Sequence, residues 1–357
     1  MGESRGGAKG RPAVWTFAPV GLKIWGKRRE GAEPMNNDDL AKGIAAGERR
    51  ALARGITLVE SGRDDHRAQA TELLAALPKG REALRIGLSG TPGVGKSTFI
   101  ESFGMMLIRR GLKVAVLAID PSSSRSGGSI LGDKTRMDLL SRERDAFIRP
   151  SPSQTHLGGV ARRTREAVTL CEAAGFDVVL IETVGVGQSE TVVAEMSDVF
   201  LLLLAPAGGD ELQGVKRGIM EMADIIVINK ADGDLKPAAS RTCADYAGAL
   251  RLLRKRPQDP KGFPKAMMVS ALQENGLNEA WAEVETLTDW RRAQGFWQHA
   301  RAAQARYWFE QAVKQALLAQ LEKPKAKAAL TELSDRVAQG LADPTKAAQD
   351  FVTQLDR

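Results

Sequence analysis

Cysteine is nearly missing from this 357-residue chain: Cys171 and Cys243 are the two present, 72 positions apart and in no metal-ligand spacing. A disulfide-stapled scaffold and a cysteine-ligated zinc module are thereby excluded, and a reducing, cytoplasmic setting is the expectation. Histidine is almost as scarce, with His66, His156 and His299 scattered and clustered with neither cysteine. No apolar run approaches the ~18 residues of a membrane span. The longest is Val199 to Ala205, so no membrane partner is expected. Aromatics make up 5% of the chain against 43% hydrophobic residues, a balance that suits a soluble globular protein with a substantial core.

A continuous basic stripe is absent as well. The formal charge is +7, but residues 1–34 hold seven Lys or Arg against three Glu and so carry more than half of the excess. The rest of the chain lacks the footprint that tracks a phosphate backbone, and nucleic acid is not an expected partner. The leader itself is Gly- and Arg-rich, carries Trp15, Phe17 and Trp25 without a clean period, and ends at Pro34-Met35. It reads as a disordered tail or a start misplaced upstream of Met35, in preference to a transit peptide.

Beyond the leader, hydrophobic periodicity organises the chain. Over 35–83, Leu40, Ile44, Leu52, Ile56, Val59, Leu73 and Leu77 recur at mostly helical steps, with Asn36 to Asp39 supplying capping oxygens. From Leu84, short β-rich runs alternate with helical stretches: Leu84 to Leu88, Lys113 to Ile119, Phe176 to Ile181, Val199 to Leu204, Ile225 to Ile228 and Ala266 to Val269. Unalternating runs of this kind suit strands buried on both faces, joined by right-handed helical crossovers. The expected fold class is α/β, a doubly wound, mostly parallel sheet over 84–275. A helical region occupies 276–357.

The first turn of that sheet carries the strongest motif, Gly90-Thr91-Pro92-Gly93-Val94-Gly95-Lys96-Ser97, after a strand and ahead of a helix opening at Thr98. Glycines let backbone N–H groups turn inward around phosphates, and the helix N-terminus adds partial positive charge. This is the phosphate-binding loop of P-loop NTPases, in which Lys96 reaches the β- and γ-phosphates and Ser97 ligates Mg²⁺.

A second motif selects the base. Asn229-Lys230-Ala231-Asp232 comes directly after the run Ile225 to Ile228. A carboxylate at Asp232 can accept both the ring N–H and the exocyclic amine of guanine, whereas adenine would leave it unpaired. Asn229 is expected on the acceptor edge of the base and Lys230 along the ring. Ser270-Ala271-Leu272 fits the backbone-donor loop that completes the pocket. GTP/GDP is therefore the expected cofactor. Asp120 and Glu182 end two strand runs, and Asp133 sits in a Gly-rich segment, so all three are candidate carboxylates for a magnesium ion held largely through water.

Three longer stretches carry a resemblance: Asp120 to Met137, Glu182-Thr-Val-Gly-Val-Gly-Gln-Ser-Glu190, and Ala207 to Arg217. They closely resemble the MeaB/ArgK family, the methylmalonyl-CoA mutase-associated GTPases of the dimer-forming SIMIBI class. The resemblance runs from about Asp38 to the end and leaves the leader unexplained. It implies that Lys96, Ser97, Asp120, Asp133 and Glu182 form the phosphate and magnesium network. It further implies that Asp210 lies in a loop near the nucleotide and that Gln213 and Lys216 belong to a switch facing the partner. By the same resemblance the partners are an adenosylcobalamin-dependent acyl-CoA mutase and a second copy of the chain, joined through C-terminal helices.

One departure bears on rate. Ras-like GTPases carry a water-orienting Gln directly after the Gly of their Asp-x-x-Gly motif. Here Val186 stands after Gly185, and Gln188 comes too late. Slow intrinsic hydrolysis, completed by a partner, is expected. The chain itself reads as a GTPase, and the resemblance implies a GTP-hydrolysing chaperone that gates adenosylcobalamin loading and protection of a mutase. A nickel-insertion GTPase and a protein kinase acting on transport proteins are the alternatives. Seven of the eighteen aromatics lie between Trp281 and Phe309. On one continuous helical wheel Trp290, Trp297 and Trp308 fall together and Trp281 opposite, so the stripe either packs on the nucleotide domain or forms a self-association surface.

Overall fold

A computed structural model of the chain describes residues 36–119, 137–150, 157–183, 189–206 and 217–355. The expected leader, residues 1–34, lies outside them. The apolar runs become β1 (Leu84–Ser89), β2 (Val114–Ile119), β3 (Ala146–Pro150), β4 (Val178–Thr183), β5 (Val199–Leu204), β6 (Ile225–Ile228) and β7 (Lys265–Met268). They form one sheet in the order β3-β2-β4-β1-β5-β6-β7, every neighbouring pair parallel. The strands β2, β4, β5 and β6 are buried along their whole length, as unalternating apolar runs require. β3 is an addition to the six runs read from the sequence. It is short, ends in Arg149-Pro150, and lies at the sheet edge, where a proline costs no ladder bond.

In chain order the helices are α1 (Asn37–Ala45), α2 (Arg49–Glu60), α3 (Asp64–Ala76), α4 (Lys96–Arg109), α5 (Asp138–Arg142), α6 (Leu157–Ala173), α7 (Ser189–Met196), α8 (Arg217–Met222), α9 (Lys236–Arg251), α10 (Leu277–Ala293), α11 (Phe296–Leu321), α12 (Pro324–Ala338) and α13 (Pro344–Leu355). Asn36 caps α1 by accepting from the Asp38 amide, as its side chain suggested. The helices α1 to α3 pack on α6, where Arg67 meets Glu166 through two contacts of 2.7 Å.

On one side of the sheet, Phe99, Ile100, Phe103 and Leu107 of α4 fill the main core. Trp281 stands edge-on to Phe103 at 6.1 Å, and Leu277, Val284 and Leu287 of α10 join the same cluster. The helix that opens the C-terminal region therefore completes the nucleotide-domain core, and residues 36–357 form one compact unit.

A continuous wheel through the tryptophans does not survive. Gly295, at φ +74, separates α10 from α11. Trp281 is core, Trp297 and Trp308 are buried at the root of α11, and Trp290 is exposed. Below the sheet, Arg301 of α11 grips Asp198 with two bonds of 2.6 Å, and Arg291 of α10 reaches Asp224 at 2.6 Å and Asp259 at 2.7 Å. Further along α11 the apolar side chains are uncovered: Phe309 is 67% exposed and Leu317 59%.

Candidate nucleotide site

The loop between β1 and α4 can form only with glycine at its turning points. A Cβ at Gly90 would lie 2.3 Å from the Leu203 carbonyl oxygen of β5. Gly93 and Gly95 hold φ of +84 and +87, where side chains are strained, and Gly95 delivers the chain into α4. Lys96 opens that helix, and its Nζ donates to the Gly90 carbonyl at 2.7 Å and to the Thr91 carbonyl at 3.4 Å. The ammonium thus lies folded across its own loop. Burial pushes the Lys96 pKa below the usual lysine value, while the charges of Glu182 and Glu190 oppose that shift. Thr91, Pro92, Gly93 and Thr98 are exposed, Val94 is buried in the core, and Ser97 is half-buried on the first turn of α4.

Parallel pairing brings the other groups to the same edge. Glu182 on β4 is in register with Leu88 of β1 and Ala118 of β2, so its buried carboxylate stands beside the start of the loop. Beneath it, the Thr183 hydroxyl donates to Ser89 Oγ at 3.1 Å, two buried hydroxyls tying β4 to the base of the loop. At the end of β6, Asn229 is 1% exposed. Its Nδ2 donates to the Val94 carbonyl at 3.0 Å and the Gly95 carbonyl at 3.4 Å, while its Oδ1 accepts from the Ala271 amide at 3.1 Å. Asn229, expected on the acceptor edge of the base, makes these backbone contacts in the fold. Both of its ends are engaged by backbone, and it braces the phosphate loop against the Ser-Ala loop.

Lys230, at φ +59, donates from Nζ to the Gly93 carbonyl at 2.7 Å, so its stem spans from β6 to the loop. Asp232 is half-buried and accepts from the Ser270 hydroxyl, which in turn accepts from the Gln273 amide at 3.1 Å. Ser102 of α4 donates to the Ala271 carbonyl at 2.8 Å, adding a second tie between α4 and that loop. Leu272 points out of the fold, largely exposed.

Residues 52–326 match the family model described as the methylmalonyl Co-A mutase-associated GTPase MeaB. The chain belongs to the MeaB family of GTPases. Among relatives of this MeaB-family chain is the GTPase ArgK of Escherichia coli, 49% identical over 80% of this chain and 86% of that protein. Another is the mitochondrial methylmalonic aciduria type A homolog of Mus musculus, 47% identical over 87% of this chain and 77% of that protein. A crystal structure titled LAO/AO transport system kinase superposes with a TM-score of 0.68 at 36% identity, covering 92% of this chain and 100% of that one. The sheet and helices described above are the P-loop NTPase fold.

In this MeaB-family fold the loop 90–98, Glu182, Asn229, Lys230, Asp232 and Ser270 to Leu272 converge on the C-terminal edge of the sheet. Asp120, Asp133, Asp210, Gln213 and Lys216 lie outside the described residues, as do Val186 and Gln188. The donor set that is described, the half-buried Ser97 hydroxyl on the first turn of α4 and the buried Glu182 carboxylate on β4, is hard oxygen of the kind magnesium takes. Ser89, Thr183 and Ser102 are not evident from the sequence. Their signal is faint, since a hydroxyl next to a strand end acquires meaning only once strand order is known.

Proposed function

We propose that this GTPase is a nucleotide-gated chaperone for an adenosylcobalamin-dependent acyl-CoA mutase, methylmalonyl-CoA mutase or a close relative. On this reading it controls cofactor loading and protects the loaded enzyme. The observation that carries the guanine assignment is the Asp232 carboxylate, held by the Ser270 hydroxyl on the same sheet edge as the phosphate loop. A carboxylate so fixed is already oriented for the two N–H donors of guanine, and a base without them leaves it unpaired.

The chemistry rests on the same residues. Lys96 leaves the Gly90 and Thr91 carbonyls and meets the β- and γ-phosphate oxygens, while the amides of Gly93 to Ser97 cradle the chain of phosphates. Ser97, with Glu182, Asp120 and Asp133 largely through water, would hold a magnesium ion, which would neutralise phosphate charge. By family resemblance Asp210 serves the nucleotide and Gln213 and Lys216 serve the partner-facing switch. Val186 offers no hydrogen bond to an attacking water, which supports a slow basal rate raised by the partner. The uncovered apolar face of α11 at Phe309, Val313 and Leu317 supports a homodimer, and the two cysteines, Cys171 and Cys243, both free, support a cytoplasmic setting.

The deciding experiment tracks γ-labelled GTP with purified protein, with and without the mutase. Free phosphate released several-fold faster with the mutase supports the reading. Label transferred to protein would make the chain a kinase, and turnover indifferent to saturating mutase would remove the partner.

A further inference from the structure

From the last residue of α9 toward β7 the chain runs Arg251-Leu252-Leu253-Arg254-Lys255-Arg256-Pro257-Gln258-Asp259-Pro260-Lys261, five cations against one carboxylate in eleven residues. Neither nucleotide binding nor hydrolysis uses it. Its position is fixed by strand direction. Asp224 and Lys265 lie at the N-terminal ends of β6 and β7, and Asn229 and Val269 just past their C-terminal ends, so this loop sits on the sheet edge opposite the nucleotide. The four residues of β6 separate the two edges by about 13 Å.

The loop is built rather than slack. Arg256 turns inward, donating to Asp259 at 2.5 Å and Asp224 at 2.7 Å, and Arg291 closes the set through the same two carboxylates. The single acid of the segment is therefore engaged beneath the surface. Arg251, Arg254, Lys255 and Lys261 are left exposed. Leu252, among them, is 88% exposed, and beside it lies a hollow of about 400 Å³ lined in part by Leu253, Pro257, Pro264 and Glu221. A pinned backbone presenting cations around an apolar knob gives up little backbone entropy on binding.

We propose that this loop is a docking surface for a carboxylate-rich protein face that offers an apolar socket to Leu252. Resting on the chaperone function proposed for this GTPase, the owner of that face is the mutase. Charge complementarity argues for an acidic partner, and the projecting leucine argues for protein over nucleic acid, whose phosphates have no socket for an aliphatic knob. Because the loop lies away from the nucleotide edge, it anchors the partner in every nucleotide state.

The test titrates full-length wild type, Arg254→Glu/Lys255→Glu and Leu252→Ala with purified methylmalonyl-CoA mutase by calorimetry, at low and at raised salt, with GTP affinity as the folding control. The charge reversal should weaken binding by about tenfold or more at low salt and by less at raised salt. Leu252→Ala should weaken it at both, and GTP affinity should not change. Equal mutase affinity for all three proteins overturns the docking surface and leaves the mutase reading standing. Wild type that binds no mutase with GTP, GDP or neither overturns both. Retention of RNA or DNA by wild type but not by the charge-reversed variant also overturns it, since the patch then reads phosphate backbone.

Discussion

Replacing Asn229 by Ala separates a brace from a base reader. In the structure the amide makes three backbone contacts, two to carbonyls of the phosphate loop and one from the Ala271 amide. Asn229 and Ala271 are both buried, so water cannot replace the lost partners. Leaving a buried polar group unsatisfied costs about 1–3 kcal/mol, and stranding the Ala271 N–H together with the Val94 carbonyl sums to about 2–6 kcal/mol. At about 2–4 °C per kcal/mol for a domain of this size, the ligand-free unfolding midpoint should fall by at least about 4 °C. GTP affinity should fall as well, because the loop loses its alignment to the Ser-Ala segment. Scanning calorimetry without nucleotide is the decisive assay, since a side chain devoted to the base has nothing to lose when no base is bound. An unchanged midpoint with weakened GTP binding would refute the brace and return Asn229 to the base edge.

The same geometry sets three further outcomes. Asp232→Asn should weaken GTP by several kcal/mol and favour xanthine nucleotides, whose extra carbonyl meets the new amide. Ser270→Ala should lose less, because its hydroxyl only orients that carboxylate, and calorimetric titration with both nucleotides measures the pair. Glu182→Gln should bind GTP yet release phosphate far more slowly, whereas Lys96→Ala should fail at binding; single-turnover kinetics distinguish the two, and wild-type turnover in the Glu182 variant would make that acid structural. Burial pushes Glu60 above the usual carboxylate pKa against the pull of Arg149, so the folded state takes up this proton before the unfolded chain does. Acidification through that window therefore adds stability from this group, and at neutral pH its charge works against the fold. Arg149→Met should raise the Glu60 midpoint further in a carboxyl NMR titration, and an unmoved midpoint would show that the pair does not couple.

The parts legible in the sequence were those written in contiguous residues. The loop from Gly90 to Ser97, the Asn-Lys-Ala-Asp turn and the six apolar runs each carry their own local reason, and the structure sets them as one parallel sheet with the motifs at its C-terminal edge. What stayed hidden depended on neighbours distant in the chain. The strand β3 is held by lying beside β2 and by the pairing of Arg149 with Glu60 from α2, neither of which leaves a periodic trace. The direction of the Asn229 amide is decided by strand order, which puts β6 two places from the loop it braces. Trp281 and Trp290 look alike in sequence, yet one is core and the other exposed, because α10 meets α4 along one face only.

The grip of α11 at its root has a mechanical consequence. Arg301 holds Asp198, and Gln304 donates to the Ser197 carbonyl at 2.9 Å. Ser197 and Asp198 are the residues at which α7, the next helix after the Glu182 segment, turns into β5. From Gln304 to its end at Leu321 the helix continues for about 26 Å at 1.5 Å per residue. A tilt of about 10° imposed at that root carries the far end through about 4–5 Å, so a small rearrangement at the start of β5 arrives at the uncovered apolar face as a displacement nearly the width of a side chain.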